Sequence, residues 1–347
     1  MSSSESKKPK WFNMDLHISV IADLKDLLHK RWDITDWCLS GHSWVFSRNQ
    51  EYPEVINPKT WIHLNETMIA QFQEKYDDFL KDFDGFICGH PNGFVMLFEK
   101  YNKPILMVNT CRYDLPFCIS KNMDMLEKYH ACLHRLQDKG LLIAVSNSRA
   151  DQLYTRIGTG GIETKVVPSL CAYTKIRYAP TRPTFLLHCD TRVNGMRQHE
   201  LITLKSELGR PYSWSDIGSF RGIIYWPYEV STMSIFEHYT AGMPMFFPSK
   251  TMTNDSLPLQ SISAYWGQPS LMPAPLAASS LSDLKTWIDL ADWNTLFAAS
   301  PNVYMYDSWE HLYQLIETFV WHTEDREPYR QGIIDAWDRI LASQYEN

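Results

Sequence analysis

Gly222-Ile-Ile-Tyr-Trp226-Pro-Tyr-Glu229-Val-Ser-Thr-Met-Ser-Ile-Phe-Glu237-His-Tyr-Thr-Ala241-Gly242-Met-Pro244 reads as a strand, a short loop and a helix brought to a stop. Residues 222–226 form an apolar run of strand length. The spacing then becomes helical to about Ala241, where Gly242 supplies a left-handed C-terminal position and Pro244 blocks further turns. A strand followed at once by a helix is the repeating unit of a parallel sheet covered by helices.

The same rhythm extends in both directions. A strand at 184–189 and a helix at about 199–208 precede the quoted segment. Between Tyr173 and Pro183 the apolar periodicity stops, and Pro180 and Pro183 appear among Lys175, Arg177 and Arg182, as in a hinge or linker. Upstream, strands are predicted at 11–15, 35–39, 85–89, 104–109, 141–145 and 164–167. Helices are predicted between them at about 20–30, 65–81, 94–101, 123–139 and 148–157. A final helix at about 330–343 aligns Ile333, Ile334, Trp337, Ile340 and Leu341 on one face. The fold class expected is α/β, with two Rossmann-like domains whose parallel sheets face a central cleft. The expected domains are residues 1–176, joined by the C-terminal helix 328–347, and residues 177–327.

Composition narrows the function. At 347 residues the chain is about twice the usual domain size. With 44% hydrophobic and 21% charged residues it is globular rather than disordered. A net charge of -7 and a single basic run, Lys7, Lys8 and Lys10, exclude a protein that works by neutralising nucleic acid phosphates. No apolar stretch approaches the ~20 residues of a membrane span and no signal-peptide pattern opens the chain, so a soluble cytoplasmic protein is expected. The seven cysteines lack CxxC pairs, as free thiols of a reducing compartment do, and neither a disulfide frame nor a zinc site is expected. The sequons at Asn65 and Asn254 then carry little weight.

Three segments carry chemistry. Glu229 and Glu237 have seven residues between them, one in the loop and one in the helix, separated by about 12 Å at the helical rise. The turn between them offers free amides at a helix N-terminus, which favours an anion. A plainer reading has Ser234 capping the helix, Glu237 closing a Ser-x-x-Glu capping box and Glu229 in solvent. Asp190-Thr-Arg192-Val-Asn-Gly-Met-Arg197 puts two arginines after the strand 184–189. Asp84-Gly-Phe-Ile-Cys-Gly-His90-Pro-Asn92 ends a strand on a histidine.

Together these segments resemble the retaining GT-B glycosyltransferases, particularly glycosyltransferase family 4. Glu229 to Glu237, followed by Ala241-Gly242-Met243-Pro244, is similar to that family's E-x7-E and A-G-x-P. Arg192 to Arg197 is similar to its G-R-x4-K-G, with Arg where Lys is usual, and His90 to its H-E-P-N or H-x-H strand end. Ala144-Val-Ser146 and Val166-Val-Pro168-Ser169 match late first-domain strands of the family, so the likeness covers most of residues 84–248. It departs by having no Gly in the turn at Ser231 and Thr232 and no Gly-Gly in the first loop, Leu16 to Ser19.

The resemblance implies that Arg192 and Arg197 grip a donor diphosphate, together with the amides of Ser231, Thr232 and Met233. Glu237 would hold the ribose, and Glu229 and His90 would position the sugar. It further implies a metal-independent enzyme without a cofactor, which moves a hexose with retention to a glycan or glycoprotein acceptor. GDP-mannose is favoured over UDP-glucose as donor, and residues 211–220 are the expected base-contacting region. Residues 225–248 also resemble glycosyltransferases of large algal viruses (chloroviruses), which decorate capsid proteins in the host cytoplasm. A nucleotide sugar 2-epimerase and a non-catalytic nucleotide-sugar binding module remain as alternatives, and a homodimer is left open. Two further motifs fail on context. Asp82-Phe-Asp84 precedes a strand instead of ending one, and Gly158-Thr-Gly160-Gly161 follows a helix instead of opening one.

Overall fold

The computed structural model describes residues 7–40, 52–110, 112–189, 193–209, 211–227, 231–252 and 288–342. The described residues through Ser169, with those from Ala336 onward, form one compact unit, and those from Leu170 to Asp335 form another.

In the first unit, parallel strands alternate with helices: β1 (Lys10–Asp15), α1 (Ile18–Leu28), β2 (Asp33–Cys38), α2 (Glu66–Leu80), β3 (Gly85–Cys88) and β4 (Ile105–Asn109). There follow α3 (Phe117–Ser120), α4 (Met123–Asp138), β5 (Leu142–Ser146), α5 (Arg149–Gly158) and β6 (Lys165–Val166). The sheet order is β2-β1-β3-β4-β5-β6. Every residue of β3 and β4 is buried, which is why both read as unbroken apolar runs. Gly85 is required where β3 passes Trp11, since a Cβ there would lie 2.7 Å from the indole. Side-chain caps start three helices. Asn65, Asn122 and Ser148 accept from Met68, Met125 and Asp151 amides respectively.

The second unit contains β7 (Phe185–Leu187), β8 (Ile202–Leu204), α6 (Trp214–Gly218), β9 (Ile223–Ile224), α7 (Met233–Thr240), β10 (Met245–Pro248), β11 (Val303–Tyr306) and α8 (Trp309–Glu317). Its parallel sheet runs β11-β10-β9-β7-β8. Phe185, Leu187, Ile224, Phe246, Tyr306, Leu312, Tyr313 and Ile316 form one buried cluster between sheet and helix. Gly242 ends α7 at φ +79, the left-handed position read from the sequence. The last helix, α9 (Glu327–Ala342), buries Ile333, Trp337, Ile340 and Leu341.

The fold is α/β, with two Rossmann-like parallel sheets. Some local expectations fail. The helix predicted at 199–208 is replaced by β8 and a 3-10 turn over Lys205–Leu208, because Ile202 and Leu204 alternate around Thr203 and pair with β7. The helix predicted at 94–101 is two 3-10 turns, Asn92–Leu97 and Glu99–Tyr101, the second ending on left-handed Asn102.

Candidate functional site

In an open parallel sheet, a crevice forms where successive connections leave a strand in opposite directions, beyond the carboxyl ends of the strands. In the first sheet that point lies between β1 and β3, and in the second between β7 and β9.

The first edge is organised by Asp15, the last residue of β1, which is fully buried. Its Oδ1 accepts from the His17 amide at 2.6 Å and its Oδ2 from the His90 amide at 2.9 Å, so one carboxyl ties together the loops after β1 and β3. The Leu16 amide also donates to the His90 carbonyl. Gly89 makes this possible, since a Cβ there would sit 2.1 Å from Asp15 Oδ2. On the other side, Asn92 donates to the carbonyls of Gly89 at 2.5 Å and Val108 at 3.2 Å, fixing the loop to β4. Burial pushes the Asp15 carboxyl up to about 8 against the pull of these amides, and burial followed by the nearby His17 pushes His90 down to about 3. The His17 and His90 rings lie edge to face with centroids 6.1 Å apart. His90 thus stands at the switch point as a neutral imidazole. Asp15 escaped the sequence reading, although an acid closing a strand that carries Trp11, Phe12 and Met14 was a usable signal.

At the second edge, Arg192 and Glu229 lie outside the described residues. Ser231, Thr232, Met233 and Glu237 are brought together at the start of α7. Thr232 is the N-cap and makes no side-chain capping bond, while the Ser231 hydroxyl is buried without a hydrogen-bond partner. This removes the capping-box reading. Glu237 is buried to 8% exposure, and its two oxygens accept from the Tyr173 hydroxyl and, at 3.4 Å, from Trp214 Nε1. Tyr173 and Trp214 also meet edge to face at 5.9 Å, so this carboxylate is set in an aromatic wall that includes the segment 211–220.

Arg197 is held elsewhere in the unit. Its amide donates to the Tyr313 hydroxyl oxygen at 2.9 Å, and its guanidinium lies over the Tyr313 ring at 4.6 Å. It lines a groove of about 220 Å³ with His199, Thr203 and Glu207. The contacts that fix it are therefore with α8.

The motifs also missed a cluster at the ends of β7, β8 and β9. Lys205 Nζ meets His188 Nε2 at 3.2 Å. The His188 ring lies 5.1 Å from Tyr225 and 5.5 Å from His238. The Tyr225 hydroxyl pairs with His238 Nδ1 and reaches the Ser234 carbonyl at 3.1 Å, in the first turn of α7. Burial, then Lys205, pushes His238 down to about 3. Burial, then Lys205 and His238, pushes His188 well below its ordinary value. These residues come from four elements, so only strand order could reveal them.

Among the described residues no group of three or more His, Cys, Asp or Glu is placed to hold a metal ion, and no helix is long and apolar enough to cross a membrane. No protein-family model matches the chain, and no curated protein matches it. Among solved structures, the glycotransferase of kitacinnamycin resembles it with a TM-score of 0.41 at 9% identity, over 98% of this chain and 96% of that one. At that TM-score the likeness carries no argument about activity.

Proposed function

We propose that the chain is a glycosyltransferase that takes its sugar from a nucleotide diphosphate donor bound at the β7/β9 edge of the second unit. The observation that supports this is a convergence. The Arg192 segment follows β7 in the chain, the Glu229 segment follows β9, and these two strands are neighbours at the switch point. The α7 N-terminus and the buried carboxylate of Glu237 belong to the same edge.

In this reading the diphosphate rests on Arg192 and the amides of Ser231, Thr232 and Met233, and Arg197, stacked on Tyr313 of α8, reaches it only by leaving that ring. Glu237, against Tyr173 and Trp214, takes the ribose. Glu229 positions the sugar. The bond from the anomeric carbon to the diphosphate breaks, and the acceptor oxygen bonds to that carbon on the same face. The acceptor proton passes to a donor phosphate oxygen, so no paired acid and base are needed. The donor favoured is GDP-mannose and the acceptor a glycan or glycoprotein.

The test is calorimetric titration with a panel of nucleotide sugars, followed by product analysis with the donor that binds. Transfer with retained anomeric configuration is expected. Arg192→Ala or Glu229→Ala should lower turnover about 10- to 150-fold, the equivalent of one charge-assisted contact. Normal turnover in either variant overturns the site. Conversion of the donor sugar without acceptor would identify an epimerase instead, and binding without any turnover a binding module.

A further inference from the structure

We propose that Lys205 is a phosphate-binding residue of the second unit, reaching across the end of β7 to the diphosphate of a nucleoside diphosphate ligand. The inference rests on the donor site proposed above and adds a cation that no motif supplies.

Lys205 begins the 3-10 turn that follows β8, so its Cα sits at the carboxyl edge of the sheet beside β7. Its side chain is partly buried and crosses to His188, the residue after β7, while its ammonium lies 5.9 Å from the Tyr212 ring centroid. Among the described residues no carboxylate lies within ion-pair distance of that ammonium. The one hydrogen bond it makes there goes to an imidazole nitrogen. Lysine carries three N–H donors, so a partly buried lysine with no carboxylate partner among the described residues is left with donors for a ligand.

The surroundings agree in sign. His188 and His238 are held neutral by burial and by Lys205, so the positive charge of the cluster is concentrated on the ammonium. The cluster touches the first turn of α7 through Tyr225 and Ser234, and a helix N-terminus adds positive potential. The unpartnered Ser231 hydroxyl precedes that same turn. A cation, a helix start and an unspent hydroxyl on one edge form an anion-seeking surface. The two free ammonium donors suit phosphate oxygens, to which lysine binds as a point charge.

The test measures binding of GDP, UDP, guanosine and uridine to the full chain and to Lys205→Ala and Lys205→Arg. The expected result is that Lys205→Ala weakens the preferred diphosphate about tenfold or more while the matching nucleoside binds unchanged, and Lys205→Arg recovers most of the loss. Unchanged diphosphate affinity in Lys205→Ala overturns the assignment and leaves the proposed donor site standing. An equal loss for diphosphate and nucleoside, without recovery by Lys205→Arg, also overturns it. Failure of the unaltered chain to bind any of the four ligands overturns both readings together.

Discussion

The two switch points are built on the same strand order but are finished with opposite chemistry. At the β1/β3 edge a buried carboxyl gathers backbone amides, and in the same unit Arg112, which follows β4, is spent internally on Asp114 at 2.8 and 3.0 Å, with Tyr154 on the same carboxylate. At the β7/β9 edge the carboxylate Glu237 faces aromatic hydroxyl and indole donors, and the lysine has an imidazole for a neighbour. The contrast teaches that strand order fixes where a crevice lies and leaves its charge to the residues at the strand ends. The first edge is closed in on itself. At the second, no carboxylate among the described residues pairs with the Lys205 ammonium.

The strongest way to break this comparison is to remove a partner from the closed pair. Arg112 and Asp114 are 1% and 2% exposed, so Asp114→Ala leaves a guanidinium buried without its anion. A loss of about 3–5 kcal/mol is expected in urea unfolding. A loss below about 1 kcal/mol would mean that water reaches this pair and that the first unit is as open in charge as the second. Gly89→Ala should follow in size, at about 1–3 kcal/mol, because its Cβ would overlap Asp15 Oδ2 and meet Val20 Cγ1 at 2.8 Å.

Asp15 and His238 respond to pH with opposite sign. Asp15 holds its proton to about pH 8 when folded but only to 3.8 when unfolded, so its contribution to stability is greatest at low pH and is lost as pH rises through that window. His238 is the reverse. It titrates at about 3 folded and 6.5 unfolded, so its contribution is present above pH 6.5 and is lost as pH falls towards 3. Each slope can reach about 1.4 kcal/mol per pH unit where the two states differ by a full proton. Asp15→Asn misplaces one acceptor and should be less stable than the parent near pH 5, with the difference narrowing towards pH 8. His238→Gln should flatten the loss of stability between pH 6 and 4. Unfolding midpoints measured across pH 4 to 8 check both, and parallel curves for variants and parent would contradict the burial of these groups.

The sequence made the alternation of strands and helices readable because β3 and β4 are buried on both faces and Gly242 ends α7 as a glycine should. It did not reveal β8. Three residues paired with β7 are too few to outweigh the helical spacing of the apolar residues around them. The segment from Ser231 to Glu237 fitted both a capping box and a ligand turn, since either uses the same residue types. Tertiary contacts decided between them, through Tyr173 and Trp214 from other parts of the unit. Lys205 and His188 were illegible for a related reason, being neighbours only because β8 lies beside β7.

The smallest expected effect is the most diagnostic of the open edge. Among the described residues Lys205 has no carboxylate to strand, so Lys205→Ala removes a cation without orphaning any of their anions. His188 loses one donor near 3.2 Å and, being neutral, tolerates water in its place. The change in unfolding free energy should stay within about 0.5 kcal/mol, in the range of surface substitutions rather than of buried pairs. A destabilisation approaching that of Asp114→Ala would make Lys205 part of the folded scaffold and erase the distinction between the two edges. A near-zero value, beside the loss of diphosphate affinity expected above, would mean that this charge serves a ligand rather than the fold.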